Sequence, residues 1–333
     1  MKRTRVAING FGRIGRTLFR ILQSHTDIEI VAINDLADGQ TLSHLLKYDS
    51  IHGRLDRPCS YSDDHLIVGD QKIALYHAKA PGDIPWQAHD IDFVIESTGK
   101  FKSQKELQGH LDQGAKKVIL SVPPSDDNIK MVVMGVNQDI LSAADLIISN
   151  ASCTTNNAAP MISILDELCG IEQAYITTVH SYTTDQSLHD QPHRDLRRAR
   201  AAGQSIVPTT TGAAKALTTI FPELSSVIGG CGIRVPVPDG SLTDITCNVK
   251  KEVTIEQVNE AFQNAAAGKF KGILEYTEDP IVSVDIIDSP ASCTFDAQMT
   301  SVIGKMVKII GWYDNEYGYS SRLVDLIKYV RDI

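Results

Sequence analysis

Val6-Ala7-Ile8-Asn9-Gly10-Phe11-Gly12-Arg13-Ile14-Gly15-Arg16 decides the fold of this chain. A short apolar run ends in G-x-G-x-x-G, and the glycine turn opens an amphipathic helical stretch, Thr17-Leu18-Phe19-Arg20-Ile21-Leu22. In the order strand, turn, helix, the first glycine permits the tight turn and the second lets the backbone approach a pyrophosphate. The third lets the helix pack on the strand. Glu29-Ile30-Val31-Ala32-Ile33 predicts a second buried strand. It ends at Asn34-Asp35, close to the spacing of about 20 residues at which such folds place an acidic side chain. A carboxylate there accepts hydrogen bonds from the adenosine ribose hydroxyls and repels a 2′-phosphate, which selects NAD. The competing reading is a glycine-rich turn with a helix-capping Asp.

Working outward, Phe93–Glu96, Lys117–Leu120 and Met131–Val136 read as further strands, alternating with helical stretches such as Lys105–Leu111. Strands alternating with helices imply right-handed crossovers and a parallel, doubly wound sheet. Two strands end in small-residue turns, Ser97-Thr98-Gly99 and Ser121-Val122-Pro123-Pro124, and the carboxyl ends of strands in such a sheet are where a dinucleotide lies. Beyond residue 151 the β-prone runs lengthen: Ala174–His180, Leu242–Val249, Ile281–Asp285 and Val307–Tyr313. They predict a mostly antiparallel sheet with a few helices on one face. The expected division is a nucleotide-binding domain over 1–151, completed by an amphipathic C-terminal helix within about 317–333, and an α+β catalytic domain over 152–316. No internal repeat or low-complexity segment interrupts either part.

The chain has 333 residues, 42% hydrophobic and 22% charged, with a net charge of −9. That is enough chain for two cores, and the acidic balance argues against nucleic acid as a main partner. The basic run of Arg194, Arg197, Arg198 and Arg200 is broken up by Asp185, Asp190 and Asp195. No apolar run approaches the roughly 20 residues of a membrane-spanning helix. The start, Met1-Lys2-Arg3-Thr4-Arg5, reads as leading straight into the first strand with no signal peptide. Six scattered cysteines without a CxxC pair or a histidine cluster suggest reduced thiols and no metal site. A cytoplasmic location is the expectation.

One of those cysteines stands apart. Ser149-Asn150-Ala151-Ser152-Cys153-Thr154-Thr155-Asn156 follows the apolar run Leu146-Ile147-Ile148 and precedes a buried helix expected over Ala158–Leu168. Unpaired N–H groups and the positive end of the helix dipole at such a junction favour thiolate over thiol. A core cysteine would need no such polar collar.

The octapeptide resembles the active-site signature of phosphorylating glyceraldehyde-3-phosphate dehydrogenases. So do Ile8–Arg16, Thr178-Val179-His180-Ser181-Tyr182-Thr183, Asp195–Ala202, Thr210-Thr211-Gly212-Ala213-Ala214-Lys215, Arg234-Val235-Pro236 and Trp312-Tyr313-Asp314-Asn315-Glu316, in that family's order. The resemblance spans essentially the whole chain. It implies that Cys153 attacks an aldehyde, that His180 pairs with it and moves the proton, and that hydride passes to NAD. A thioester is left on Cys153, which inorganic phosphate releases as an acyl phosphate. It assigns Thr183, Arg198 and Arg234 to phosphate contacts, and Ser152, Thr154, Thr211 and Gly212 to the second anion. Asn9, Gly10, Phe11, Gly12, Arg13, Ile14, Asp35, Lys79, Ser97, Thr98, Gly99, Ser121 and Asn315 fall to the cofactor, with Asn315 on the nicotinamide amide. The family is tetrameric, with the 180–205 segment packed between subunits, so a homotetramer is expected.

The departures are few. Asn157 stands where many members carry a second cysteine, Pro238-Asp239-Gly240-Ser241 replaces the commoner Pro-Asn-Val-Ser, and Lys79 takes a frequent arginine's place. Gln191-Pro192 replaces a frequent Leu-Pro. The nearest alternative is erythrose-4-phosphate dehydrogenase, whose sequences usually lack the Thr-Gly-Ala-Ala run intact here at 211–214. A cofactor-free thiol hydrolase and a non-catalytic NAD-binding scaffold are the other readings.

Overall fold

The computed structural model describes residues 3–62 and 64–333; Met1 and Lys2, part of the N-terminal run read above, lie outside the described residues. The chain forms two compact units, one of Met1–Val132, Gln138–Ala151 and Ser320–Ile333, the other of Val133–Asn137 and Ser152–Tyr319.

The first unit contains β1 (Thr4–Asn9), α1 (Arg13–Leu22), β2 (Ile28–Asn34), α2 (Gly39–Lys47) and a small ribbon of β3 (Tyr48–Asp49) and β4 (Gly53–Arg54). Then come β5 (Cys59–Ser62), β6 (His65–Val68), β7 (Gln71–Tyr76), β8 (Phe93–Glu96), α3 (Gln104–Asp112), β9 (Lys117–Leu120), β10 (Lys130–Met131) and β11 (Ile147–Ser149). Nine strands form one sheet in the order β10-β11-β9-β8-β1-β2-β7-β6-β5. Pairings are parallel throughout except in the β5-β6-β7 meander. The strand order reverses at β1, which has β2 on one side and β8 on the other, the switch point at which such sheets bind ligands. Val6, Ala7, Ile8, Val94 and Ile95 have no exposed surface, as expected where helices cover both faces of a parallel sheet.

Glycine is required twice at the β1–α1 turn. Gly10 has φ +92°, and a Cβ on Gly15 would lie 2.4 Å from the carbonyl oxygen of Gly10, so only glycine lets α1 sit so close to the turn. A Cβ on Gly12 would meet nothing within 4 Å. The middle glycine therefore leaves open space above the turn.

One expected strand is shorter than its sequence suggests. Of the expected 131–136 strand only Met131 pairs, together with Lys130 before it, because Asn137 Oδ1 accepts from Val133 N at 2.7 Å and Gly135 has φ +85°. The local side-chain bond offers the backbone an alternative to the ladder and turns the chain.

The second unit holds α4 (Cys153–Cys169), β12 (Ile171–Ser181), β13 (Val207–Thr209), α5 (Ala213–Ile220), β14 (Ile228–Val235), β15 (Ser241–Val249) and α6 (Ile255–Ala267). It continues with β16 (Leu274–Thr277), β17 (Cys293–Asp296), β18 (Ser301–Ile303) and β19 (Met306–Tyr313), and α7 (Tyr317–Asp332) then carries the chain into the first unit's last segment. The sheet order is β13-β14-β12-β15-β19-β17-β16, with β18 on β19. It is mostly antiparallel, and only β12–β14 and β16–β17 run parallel.

Helix α4 packs on this sheet and on α5 and α6. Its approach to β19 is close: a Cβ on Gly311 would fall 2.6 Å from both Cys293 Sγ and Met161 Sδ. The expected strand at Ile281–Asp285 is instead a 3₁₀ turn over Ser283–Ile286. Pro280 precedes it without an N–H for a ladder, and Asp285 Oδ2 accepts from Val282 N at 2.7 Å.

Candidate active site

Ser152 caps α4: it is extended, and its hydroxyl oxygen accepts from Thr155 N at 3.1 Å. Cys153 is therefore the first helical residue, where backbone N–H groups lack intrahelical partners. Ala151, immediately before the cap, is held at φ +55°, a conformation disfavoured for a residue with a Cβ. Such strain aims the Ser152–Cys153 peptide out of β11 and into the helix.

His180 lies near the end of β12, and its register partner on the parallel neighbour β14 is Arg234. Adjacent residues in register share a face of the sheet, so the imidazole and guanidinium meet. Nε2 of His180 stands 3.4 Å from Cys153 Sγ. Its Nδ1 lies 2.8 Å from the Ser181 carbonyl oxygen and 2.6 Å from Arg234 NH1. A guanidinium is a permanent donor, so Nδ1 accepts from it and the neutral ring presents Nε2–H to sulfur.

Burial and then the charge of Arg234 depress the His180 pKa to about 3, with Arg198 acting the same way. Burial also pushes the Cys153 thiol up, against the pull of Arg234 and of the Thr154 N–H and hydroxyl. The helix terminus alone argued for a thiolate. Desolvation works against it, since a charged sulfur gives up hydration in this setting.

Tyr313 completes the cradle. Its hydroxyl bonds both Thr154 Oγ1 and Thr178 Oγ1 at 2.9 Å, and its ring meets His180 edge-on at 6.0 Å. The hydroxyls of Ser152, on Thr155, and of Thr154, on Tyr313, are both engaged within the protein. Asn315 Oδ1 accepts from Ser181 Oγ at 2.9 Å and Ser241 Oγ at 2.7 Å. Two hydroxyl donors fix the amide orientation and turn Nδ2 away as a donor.

Arg198 donates to Thr209 Oγ1 at 2.9 Å and to the Thr210 carbonyl at 3.2 Å, and pairs with Asp185 at 2.6 Å. This ties it to the segment that runs into Thr211 and Gly212 at the start of α5, where Thr211 Oγ1 accepts from Ala213 N at 3.2 Å. Thr183 opens a turn closed by Gln186 N on its carbonyl at 2.9 Å. Asp185, Thr178, Tyr313, Ser181 and Ser241 received no role from the sequence. All fall inside or beside quoted stretches, but their partners are distant in sequence: Arg198 for Asp185, Asn315 for Ser181 and Ser241, and Thr154 and Thr178 for Tyr313.

In the first unit, Asp35 Oδ2 accepts from Phe11 N at 2.7 Å, so the carboxylate at the end of β2 holds the glycine turn. Arg13, at the start of α1, pairs with Asp49, whose pKa falls to about 2 under that guanidinium and two backbone N–H groups despite burial. Ile14 follows it in the first turn. Ser97 Oγ donates to the carbonyls of Asn9 at 3.1 Å and Gly10 at 2.7 Å, and Gly99 turns at φ +69°. Ser121 N donates to the Glu96 carbonyl at 3.0 Å. Lys79 is exposed, next to Ala78, whose N–H and carbonyl are both held by Asn34. Asp35 Oδ1 also accepts from Ala37 N at 3.0 Å; the lone pairs that remain on it, and the open space above Gly12, suit a ribose diol and a pyrophosphate.

Residues 4–104 match the family model for the NAD-binding domain of glyceraldehyde 3-phosphate dehydrogenase, and 152–315 match that for its C-terminal domain. Glyceraldehyde-3-phosphate dehydrogenase 2 of Streptomyces avermitilis is 54% identical over 329 residues, covering 98% of each chain. The glyceraldehyde-3-phosphate dehydrogenase of Geobacillus stearothermophilus is 52% identical over 328 residues, again 98% of each. Glyceraldehyde-3-phosphate dehydrogenase 2 of Bacillus subtilis is 50% identical over 330 residues, 98% of this chain and 97% of that protein.

Proposed function

This chain belongs to the glyceraldehyde-3-phosphate dehydrogenase family, and from that premise we propose how its residues divide the work. The protein is an NAD-dependent oxidoreductase of glycolysis that acts on glyceraldehyde 3-phosphate. None of the relatives just described is named for erythrose 4-phosphate.

Sγ of Cys153 adds to the aldehyde carbon while its proton passes by way of His180 to the carbonyl oxygen, giving a hemithioacetal. Nε2 of His180 then takes the hydroxyl proton back as the carbon gives up hydride, and a thioester remains on Cys153. An oxygen of inorganic phosphate attacks the thioester carbon, the C–S bond breaks, and 1,3-bisphosphoglycerate leaves. Asn9 to Ile14, Asp35, Lys79, Ser97 to Gly99 and Ser121 hold NAD, and Asn315 Nδ2 donates to its carboxamide. When bound, NAD supplies the hydride acceptor.

Thr183, Arg198 and Arg234 take the substrate phosphate; the N–H groups at Ser152–Thr154 and Thr211–Gly212 take the attacking one. A phosphate that draws Arg234 away from Nδ1 lets that nitrogen be protonated and donate to the Ser181 carbonyl. Nε2 then becomes the acceptor the reaction needs. The base is therefore switched on by the substrate's own charge. The 3.4 Å approach of Nε2 to Sγ at the start of α4, with Arg234 behind the ring, carries this reading.

We further infer a cytoplasmic homotetramer built through the segment after β12. That segment carries Leu188, Leu196 and Ile206 at 75%, 81% and 70% exposure, apolar surface that a neighbouring subunit would cover. No helix among the described residues is long and apolar enough to cross a membrane. Initial rates with glyceraldehyde 3-phosphate and erythrose 4-phosphate, with NAD or NADP, with and without phosphate, test the reading. It requires the three-carbon substrate with NAD and phosphate to be fastest, and preference for erythrose 4-phosphate or indifference to phosphate overturns it.

A further inference from the structure

Beneath the glycine turn lies a carboxylate that the reaction does not use. Glu96, the last residue of β8, has no exposed surface. Its Oε2 accepts from Asn9 Nδ2 at 2.5 Å and from His110 Nε2 at 3.1 Å. Its Oε1 accepts from Thr98 N at 2.9 Å and from the Thr98 hydroxyl. Its three neighbours, Asn9, His110 and Thr98, present four donors to it. His110 is equally buried, and its Nδ1 accepts from Trp86 Nε1 at 2.9 Å. Its proton therefore sits on Nε2 and is given to Glu96. No cation balances the charge among these partners, and a buried anion held only by neutral groups is costly.

What the carboxylate touches accounts for that cost. One oxygen holds Asn9, the end of β1, and the other holds the turn that follows β8. The two segments meet where a Cβ on Gly10 would lie 2.6 Å from Thr98 N. Asn9 passes the constraint on, since its Oδ1 accepts from Asn34 Nδ2 at 2.8 Å, one residue before Asp35. The ends of β1, β2 and β8 are thereby fastened to one group, and each leads into a segment assigned to the cofactor.

We propose that Glu96 is the positioning residue of the dinucleotide site and His110 its fixed donor. The carboxylate holds the Asn9–Gly10 and Ser97–Thr98 turns at the separation that receives NAD. This rests on reading Asn9–Ile14 as the dinucleotide turn. The test is calorimetric titration of the full-length protein with NAD, alongside thermal melts and steady-state kinetics. Glu96→Gln turns one acceptor into a donor facing donors. Its Kd and KM for NAD should rise roughly 10- to 100-fold, with kcat at saturating NAD within about threefold of wild type. His110→Leu should weaken NAD similarly, and His110→Gln, which keeps a donor, should recover part of the loss; this pair carries the test if Glu96→Gln does not fold. An unchanged Kd in folded Glu96→Gln, or a lowered melting temperature with unchanged Kd, overturns the proposal. Gly12→Val separates the two failures: if filling that open space leaves the NAD Kd unchanged, the reading of the turn is wrong whatever Glu96 does.

Discussion

His180 meets a permanent cation on one edge and a thiol on the other, so its proton affinity depends on what Arg234 is bound to. Without an anion, NMR titration should find it near the depressed value of about 3. A non-reacting phosphate monoester bound at the substrate-phosphate site should raise that value by offsetting Arg234 and Arg198, and an unmoved titration would break the link between anion binding and basicity. The stability sign follows. The unfolded chain takes up a proton near pH 6.5 that the folded histidine refuses, so this group lowers stability as pH falls from 6.5 towards 3. Melting temperatures over that window should fall less steeply in His180→Asn, whose turnover should also drop ~10²–10⁴-fold. Cys153→Ser should bind NAD with nearly native affinity and show no turnover, since a hydroxyl is a far poorer nucleophile; appreciable turnover would rule out the covalent route. The places of Cys153, His180 and Asp35 in the fold were legible because each stands at a motif or strand end. The work of Tyr313, Ser181 and Ser241 was not, because it depends on strand register, and the depressed acidity of Cys153 was not, because burial is a property of the folded chain.

Among elements, α1 and the turn before it have the least room for change. Gly15→Ala places a methyl 2.4 Å from the Gly10 carbonyl oxygen, so the backbone must move. Urea unfolding should show a loss of about 1–3 kcal/mol, together with weaker NAD binding. A fully tolerated alanine would mean that α1 does not need this approach. At the end of β2, Asp35→Ala should lose roughly 1.5–3 kcal/mol of NAD affinity and relax the discrimination against NADP. If the wild type used NADP more efficiently than NAD, that role would be wrong. The parallel strands of the first unit were legible because continuous burial makes them short apolar runs. By contrast β14 was hidden, because Gly229, Gly230 and Gly232 read as turn residues. A Cβ on Gly230 would lie 2.6 Å from the Ile176 carbonyl oxygen, so glycine there serves a close strand approach. The runs at 131–136 and 281–285 erred the other way: their β-prone residues were outvoted by the side-chain oxygens of Asn137 and Asp285.

At the scale of the whole molecule, the exposed aliphatic residues after β12 make assembly testable. Leu188→Asp, Leu196→Asp and Ile206→Asp combined should reduce the sedimenting mass below that of a tetramer, and an unchanged mass would remove this segment from the interface. The division of the chain has a different consequence. The first unit is discontinuous: the polypeptide leaves it after Ala151 and returns only at Ser320, where the buried face of α7 (Leu323, Val324, Leu326, Ile327, Val330) belongs to it. On the ribosome, the residues that hold nucleotide are made first, yet their core stays open until α7 has emerged. The segment bearing Cys153 has all of its sheet by Tyr313. A nascent chain therefore gains the surroundings of Cys153 before it gains a finished nucleotide fold, and arrest-peptide force profiles should show the second unit folding ahead of the first.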